Sequence, residues 1–277
     1  MIRLLHIEFI KLWNNRASKF LIISYFALLT SIALVAAIKF DIGPVQFHLA
    51  DQGIFNFPYI WHFNTFITAF FKLFLAIVIV SMMSNEYSNK TIKQNLIDGL
   101  SKKEFILSKF LTVVTFSLVS TVFVFVVSFI LGLFYSDYRE LSTMLTGLEF
   151  LPAFFVKLMG FFSFCLFLGV LVKRSAFALG FLILWQVLEG IFRGLIRWKL
   201  FDGDTTDIIM GFFPLQAMFN LITEPFSRLG AVQSMANQMG ESFELDYHVH
   251  WYQILIVLLW TLFFIYASYA LLKRRDL

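Results

Sequence analysis

Glu189 and Arg193 stand four residues apart inside an otherwise apolar stretch, 175–196. On a helix that spacing puts both side chains on one face, where they can pair. An ionised side chain at mid-bilayer costs roughly 2.5–3.5 kcal/mol on insertion scales, so such groups face protein or water rather than lipid. The pair therefore has two readings: an ion pair that locks helix packing, or part of a polar translocation lining or gate. Lys72, near the middle of another apolar stretch, belongs to the same candidate path. Lys157, near the end of a third, is placed to snorkel toward the surface. Asp246, His248 and His250 are chemically able to hold a metal, but two histidines two apart just before an apolar run more commonly serve as interfacial polar residues. No metal ligand is assigned. The chain has no GxxxxGK[ST] phosphate loop and no HExxH, so it binds no ATP in the usual P-loop manner and carries no zinc-protease centre. It is read as non-catalytic and in need of no cofactor.

These charges sit in a chain that is 59% hydrophobic and 14% charged, with mean hydropathy +0.79. Soluble domains are usually about 45–50% apolar and about 25% charged. A globule this apolar lacks the polar residues to cover itself, whereas in a bilayer lipid is the solvent. The lone Cys165 excludes a disulfide framework and a thiolate cluster within the chain.

Six stretches are long enough to cross the hydrocarbon core, which takes roughly 20 apolar residues: 20–38, 60–83, 110–134, 151–172, 175–196 and 251–272. The expected fold is an all-α integral membrane protein with six transmembrane helices in a single domain, 1–277. Basic residues orient it. Fourteen Lys and Arg flank one side, among them Lys11, Lys90, Lys93, Lys102, Lys103, Lys109, Lys173, Arg174 and the 273–275 cluster, against five on the other. Both termini are thus expected in the cytoplasm, with the chain in the cytoplasmic (inner) membrane. Topology also accounts for the net charge of +4, which leaves no case for nucleic acid. Val35-Ala36-Ala37 loosely resembles a signal-peptide cleavage site, but a long charged region precedes the apolar run and removal would leave five spans, so the first span is expected to be retained.

The N-terminal 1–19 contains an amphipathic stretch. Ile2, Leu5, Phe9, Leu12 and Trp13 fall on one face of a helix over 2–16, with Arg3, Lys11, Asn14 and Asn15 on the other, which predicts an interfacial helix. Residues 84–109 join the second and third spans. Ser88 or Asn89 can cap a short helix through Ile97; Asp98-Gly99 stops it, since Gly accepts the left-handed conformation; Ser101 and Glu104 form a capping box that opens the next helix. A short helix crosswise beneath a membrane-spanning rod can pass a push from a cytoplasmic partner into the bilayer. The outer segment 197–250 holds Ile208, Phe212, Leu215, Phe219 and Ile222 at helical spacing with Pro214 interrupting. About 16 residues are too few for a seventh span.

Within 84–109, Glu86, Thr91, Gly99, Leu100, Ser101, Phe105 and Lys109 resemble the motif after the second span in permeases of the type-2 ABC exporter family. There an acidic residue precedes a Thr by a few positions, a Gly or Pro turn follows, and a Ser-basic pair leads to a Lys before the third span. Lys90 stands where many members have Gly. The resemblance extends over the whole chain as an architecture: interfacial helix, six spans, and an outer segment whose short helices dip back into the membrane. It implies a membrane subunit that moves a substrate using ATP hydrolysed by a separate ATP-binding subunit, present in two copies and bound to a dimer of permeases. Glu86, Thr91, Ile92, Leu96, Gly99, Ser101 and Lys109 would then form the ATPase-coupling element. Glu86 would pair with the partner or cap the short helix, and Ile92, Leu96 and Ile97 would be contact residues or rest on the membrane interface. The competing reading is a non-transporting scaffold or sensor docking a cytoplasmic partner through the same segment.

Overall fold

One helix, α8 (Phe150–Val172), organises the molecule: 72% of the most apolar stretch within 141–172 is buried, against 17% in the helix Ser175–Lys199 and 22% in Trp251–Lys273. The computed structural model describes residues 2–37, 39–42, 45–48, 53–138, 140–199, 202–229, 232–233 and 246–275. In chain order the elements are α1 (Ile2–Asn14), α2 (Arg16–Ala37), a hairpin of β1 (Lys39–Ile42) and β2 (Val45–His48), α3 (Tyr59–Thr68), α4 (Lys72–Ser88), α5 (Thr91–Ile97), α6 (Lys102–Tyr135), α7 (Leu141–Leu145), α8, α9 (Ser175–Lys199), α10 (Gly203–Met210), α11 (Pro214–Asn220) and α12 (Trp251–Lys273). Apart from the antiparallel hairpin, in which Ile42 opposes Val45, the described residues form no β-sheet, as an all-α membrane protein requires.

Five segments are long and apolar enough to cross a membrane: Tyr59–Ser88, Lys102–Tyr135, Leu141–Val172, Ser175–Lys199 and Trp251–Lys273. The chain is a multi-pass membrane protein. α8 is surrounded by α12, α4, α6 and α9. Its glycines let neighbours approach closely: a Cβ at Gly160 would stand 2.7 Å from Val257 of α12, and one at Gly169 2.9 Å from Met83 of α4. Small residues at such contacts bring helix backbones together where lipid supplies no hydrophobic drive. α9 exposes Phe177, Phe181, Ile183, Leu184, Val187 and Ile191.

The span expected over 60–83 is interrupted. α3 gives way to a 3₁₀ turn, Ala69–Phe71, before α4 begins at Lys72. The hydroxyls of Thr65 and Thr68 donate back to the carbonyls of Trp61 and Asn64, each at 2.7 Å. Such back-bonding competes with the helical ladder and bends helices. At 34 residues α6 is about 51 Å long at 1.5 Å per residue, well over the roughly 30 Å of a hydrocarbon core. In the segment 197–250, Pro214 opens α11 instead of breaking a longer helix, the position where its missing N–H costs nothing.

Two ends of the bundle are distinct. One gathers α1, the C-terminal end of α4, α5, the start of α6 and the last turns of α8 and α12. There the Arg275 guanidinium donates to the carbonyls of Val170 and Leu171 and to the Tyr87 hydroxyl, closing off the C-terminus of α8. The other end holds residues 53–58, α7, α10 and α11; there Trp61 Nε1 donates to the Met144 carbonyl of α7 at 3.0 Å and Phe57 N–H donates to Ser136 Oγ at 3.1 Å.

Candidate functional site

The segment 88–102 is built by its turns. Lys90 adopts a left-handed conformation (φ 54°) between α4 and α5 and contributes no side-chain cap; neither Ser88 nor Asn89 caps α5. The backbone needed there is the one glycine adopts most readily. At the far end Gly99 (φ 96°) closes α5: Leu100 N–H donates to the Asn95 carbonyl and Gly99 N–H to that of Leu96, the paired bonds of a Schellman stop. Ser101 and Glu104 make the full capping box at the start of α6, as their spacing predicts.

A buried charge cluster clamps α5 to the bundle. The Lys109 ammonium lies 2.6 Å from Glu8 Oε2 and 2.6 Å from Glu86 Oε1, with its side chain wholly inaccessible. Lys11 reaches the same Glu86 oxygen at 2.9 Å. The other Glu86 oxygen accepts from the Thr91 hydroxyl on α5. Two carboxylates and two ammoniums thus join α1, α4 and α6 with no net charge, and the Thr91 hydroxyl ties α5 to them. Burial would depress the Lys11 pKa, but the charge of Glu8 and the bond to Glu86 outweigh it and the value is raised. A polar cavity of about 360 Å³ lies beside this cluster, lined by Asn14, Asn15, Asn85 and Asn89 as well as Glu86 and Lys11.

The geometry corrects several expectations. Glu86, expected to pair with a partner or to cap the short helix, is bound to Lys109 inside the protein and accepts from Thr91 at the start of α5. Ile92, at 2% exposure, faces the core, and Leu96 is half-buried against it; Ile97, at 69%, is the outward apolar residue, flanked by exposed Lys93, Gln94 and Asp98. The physical reason is the clamp, which rotates Thr91 and Ile92 toward α4 and leaves the opposite face outward. Glu8 was not singled out by sequence reasoning, although it is the sole acidic residue of α1 and lies three after Leu5 and four before Leu12, beside the apolar stripe. Trp13, expected on that stripe, is exposed beneath Lys19.

Within the spans, Glu189 and Arg193 do not pair. The buried Glu189 carboxylate accepts from Trp185 Nε1 at 2.7 Å and from the backbone N–H groups of Leu215 and Gln216 at 3.1 and 2.9 Å. It satisfies the first free donors of α11, whose N-terminus also favours negative charge. Arg193 instead meets Asp207 of α10 at 2.7 Å in an exposed pair. Both residues of the supposed pair hold the short helices of 203–220 against α9. Lys157 is buried, with its ammonium 3.3 Å from the Phe219 carbonyl, and Lys72 lies over the Phe161 ring at 4.3 Å. Lys72, Lys157 and Arg193 line one cavity of about 540 Å³. Asp246 accepts from His248 N–H and His250 Nε2, both at 2.9 Å, and among the described residues no three acidic, His or Cys side chains gather as for a metal.

No curated protein matches the chain. The model of one family, described as protein of unknown function (DUF2705), matches residues 27–277. That match takes in every span from α3 onward, the α5 turn and the charged cavity, and the chain belongs to the DUF2705 family.

Proposed function

We propose that the chain is the membrane-spanning subunit of an ABC exporter, working as a dimer with two copies of a separate ATP-binding subunit. In this reading α2 is a sixth span: its 22 residues extend about 33 Å and contain no acidic side chain. The end of the bundle bearing α1 and α5 faces the cytoplasm, as the excess of Lys and Arg there favours, in the cytoplasmic membrane of the cell. α1 lies in the interface and α5 is the coupling helix. The exposed apolar face of α9 meets lipid or the second copy.

The observation that carries the proposal is α5 itself. It is a two-turn helix with a left-handed entry, a Schellman exit and a capped rod behind it, tied through Thr91 to Glu86, which buried charges join to α1 and α6. Its outward face of Lys93, Gln94, Ile97 and Asp98 is exposed. A loop with no partner gains nothing from such definition. A docking helix that passes rotation or pressure to α4 and α6 requires it.

Two measurements test this. In a Cys165→Ser background, an impermeant thiol reagent outside intact cells should label Leu141→Cys and leave Gln94→Cys unlabelled; the reverse pattern would invert the topology. For coupling, the tagged chain purified from its native membrane should bring an ATP-binding subunit with it. Ile97→Asp with Lys93→Glu should lower that recovery at least tenfold while leaving insertion and thermal stability unchanged, since an apolar side chain buried at an interface is worth about 1.5–3 kcal/mol. Unchanged recovery would remove α5 from coupling, and a wild-type chain that brings no ATPase would overturn the exporter reading.

A further inference from the structure

The cavity between α4, α8, α9 and α11 has a charge imbalance. Lys72 and Lys157 both reach it from within membrane-crossing helices, and no carboxylate lines it. Glu189, the nearest acidic residue in the sequence of its wall, is turned into the N-terminus of α11 and saturated by three donors. Arg193 is already neutralised by Asp207. Lys157 has one carbonyl, Phe219, and the faces of Phe66 and Phe219 at 5.9 and 5.5 Å; Lys72 has the Phe161 ring and, among the described residues, no hydrogen-bond acceptor. Two ammonium groups are thus held among aromatic rings with much of their donor capacity unspent, in a setting where cations normally pair or meet water.

The rest of the wall is mostly apolar, with Phe66, Leu182, Met218 and Phe219, and adds the amides of Gln186 and Gln216. Exposed Phe70, Leu73, Ile183 and Val187 surround the opening on the side where a bilayer would lie. At about 540 Å³ the space falls in the range of about 300–1,000 Å³ typical of small-molecule sites.

We infer that this cavity binds an anionic amphiphile entering sideways from the bilayer, its acidic headgroup between Lys72 and Lys157 and its chains against the Phe70–Ile183 opening. The apolar rim selects against a free hydrated anion, which would have to shed its water to pass. The charge selects against a neutral or zwitterionic lipid. Under the exporter reading this names the substrate class, but the site rests on the cavity alone and is tested without ATP or any ATPase.

The test uses the purified full chain in mixed micelles with photoreactive phosphatidylglycerol and with photoreactive phosphatidylcholine of the same acyl chains. Phosphatidylglycerol should label peptides of α8 and α9 at least tenfold more than phosphatidylcholine, and excess inorganic phosphate should not compete. In Lys72→Met with Lys157→Met the preference should vanish, while Lys199→Gln, at the exposed end of α9, should retain it. The wild-type preference and the position of the label need no variant, so a double variant that fails to fold leaves the proposal exposed to refutation. Equal labelling by the two lipids, as when a second copy seals the opening, would overturn it. So would a preference that survives loss of both lysines, or competition by inorganic phosphate as effective as by unlabelled phosphatidylglycerol. Selective labelling in a chain that recruits no ATPase would keep the site and discard the exporter.

Discussion

Lys109→Met is expected to be among the most damaging single substitutions in the chain, costing about 3–5 kcal/mol of stability, the usual consequence of stranding a buried charge. Lys109 is the common partner of Glu8 and Glu86, each at 2.6 Å, and its removal leaves two nearly inaccessible carboxylates sharing only the half-exposed Lys11. The measurement is the unfolding midpoint of the purified protein in detergent. Charge and packing are separated by a second variant. Lys109→Met with Glu8→Leu restores neutrality, leaving Glu86 with Lys11, and should recover most of the loss, because buried ion pairs can be replaced by apolar residues with little penalty. If the double variant is no more stable than the single, the cluster acts through packing and the electrostatic account fails. Under the exporter reading Lys109→Met should also reduce coupling with the outward face of α5 unaltered, since Thr91 loses its anchored acceptor. The Lys11 contribution follows the sign of its shift. With its pKa raised in the folded state, that contribution is fully present below the ordinary lysine value and is lost as pH climbs through the raised one, so it operates at neutral pH.

Glu189→Leu should have the next largest effect, and a more local one. Its carboxylate accepts three N–H groups, two of them the leading backbone donors of α11. Hydrogen bonds to charged groups contribute about 1.5–3 kcal/mol each, and donors left buried without an acceptor pay their desolvation in full, so a loss of about 3–5 kcal/mol is expected. The loss should be confined to the docking of 203–220, read as faster hydrogen exchange at Leu215 and Gln216 with α8 unchanged. Arg193→Gln removes only an exposed pair with Asp207, worth about 0–1 kcal/mol, and should be mild. Were Glu189 and Arg193 a mutual pair, the two substitutions would have similar consequences. Equal effects would therefore contradict the geometry.

What could be read from the chain alone was whatever depends on local order. Apolar stretches long enough to span a bilayer report their own solvent, and the segments 60–83, 110–134, 151–172, 175–196 and 251–272 all fall within the five membrane-length segments. The amphipathic α1, the Gly99 stop, the Ser101–Glu104 box and the role of Pro214 as a punctuation mark are likewise properties of a few adjacent residues. The partners of charged side chains were a different matter. Spacing placed Glu189 and Arg193 on one face, but a desolvated carboxylate goes to the strongest donors within reach, and those came from α11, 26 residues away. Glu86 looked like a partner's counter-ion or a cap of the short helix and instead meets Lys109, with Glu8 supplied from 101 residues upstream of Lys109. Ile92 looked like a contact residue and faces inward because that clamp sets the rotation of α5. The sequence by itself determined five segments long and apolar enough to cross a membrane and the Gly99 and Ser101 helix boundaries, because hydropathy, caps and glycine conformations act within a turn or two. Only the tertiary structure decided which charges meet, because in a low-dielectric interior every ionised group must find a counter-charge or donor, and the nearest one in space is seldom the nearest in the chain.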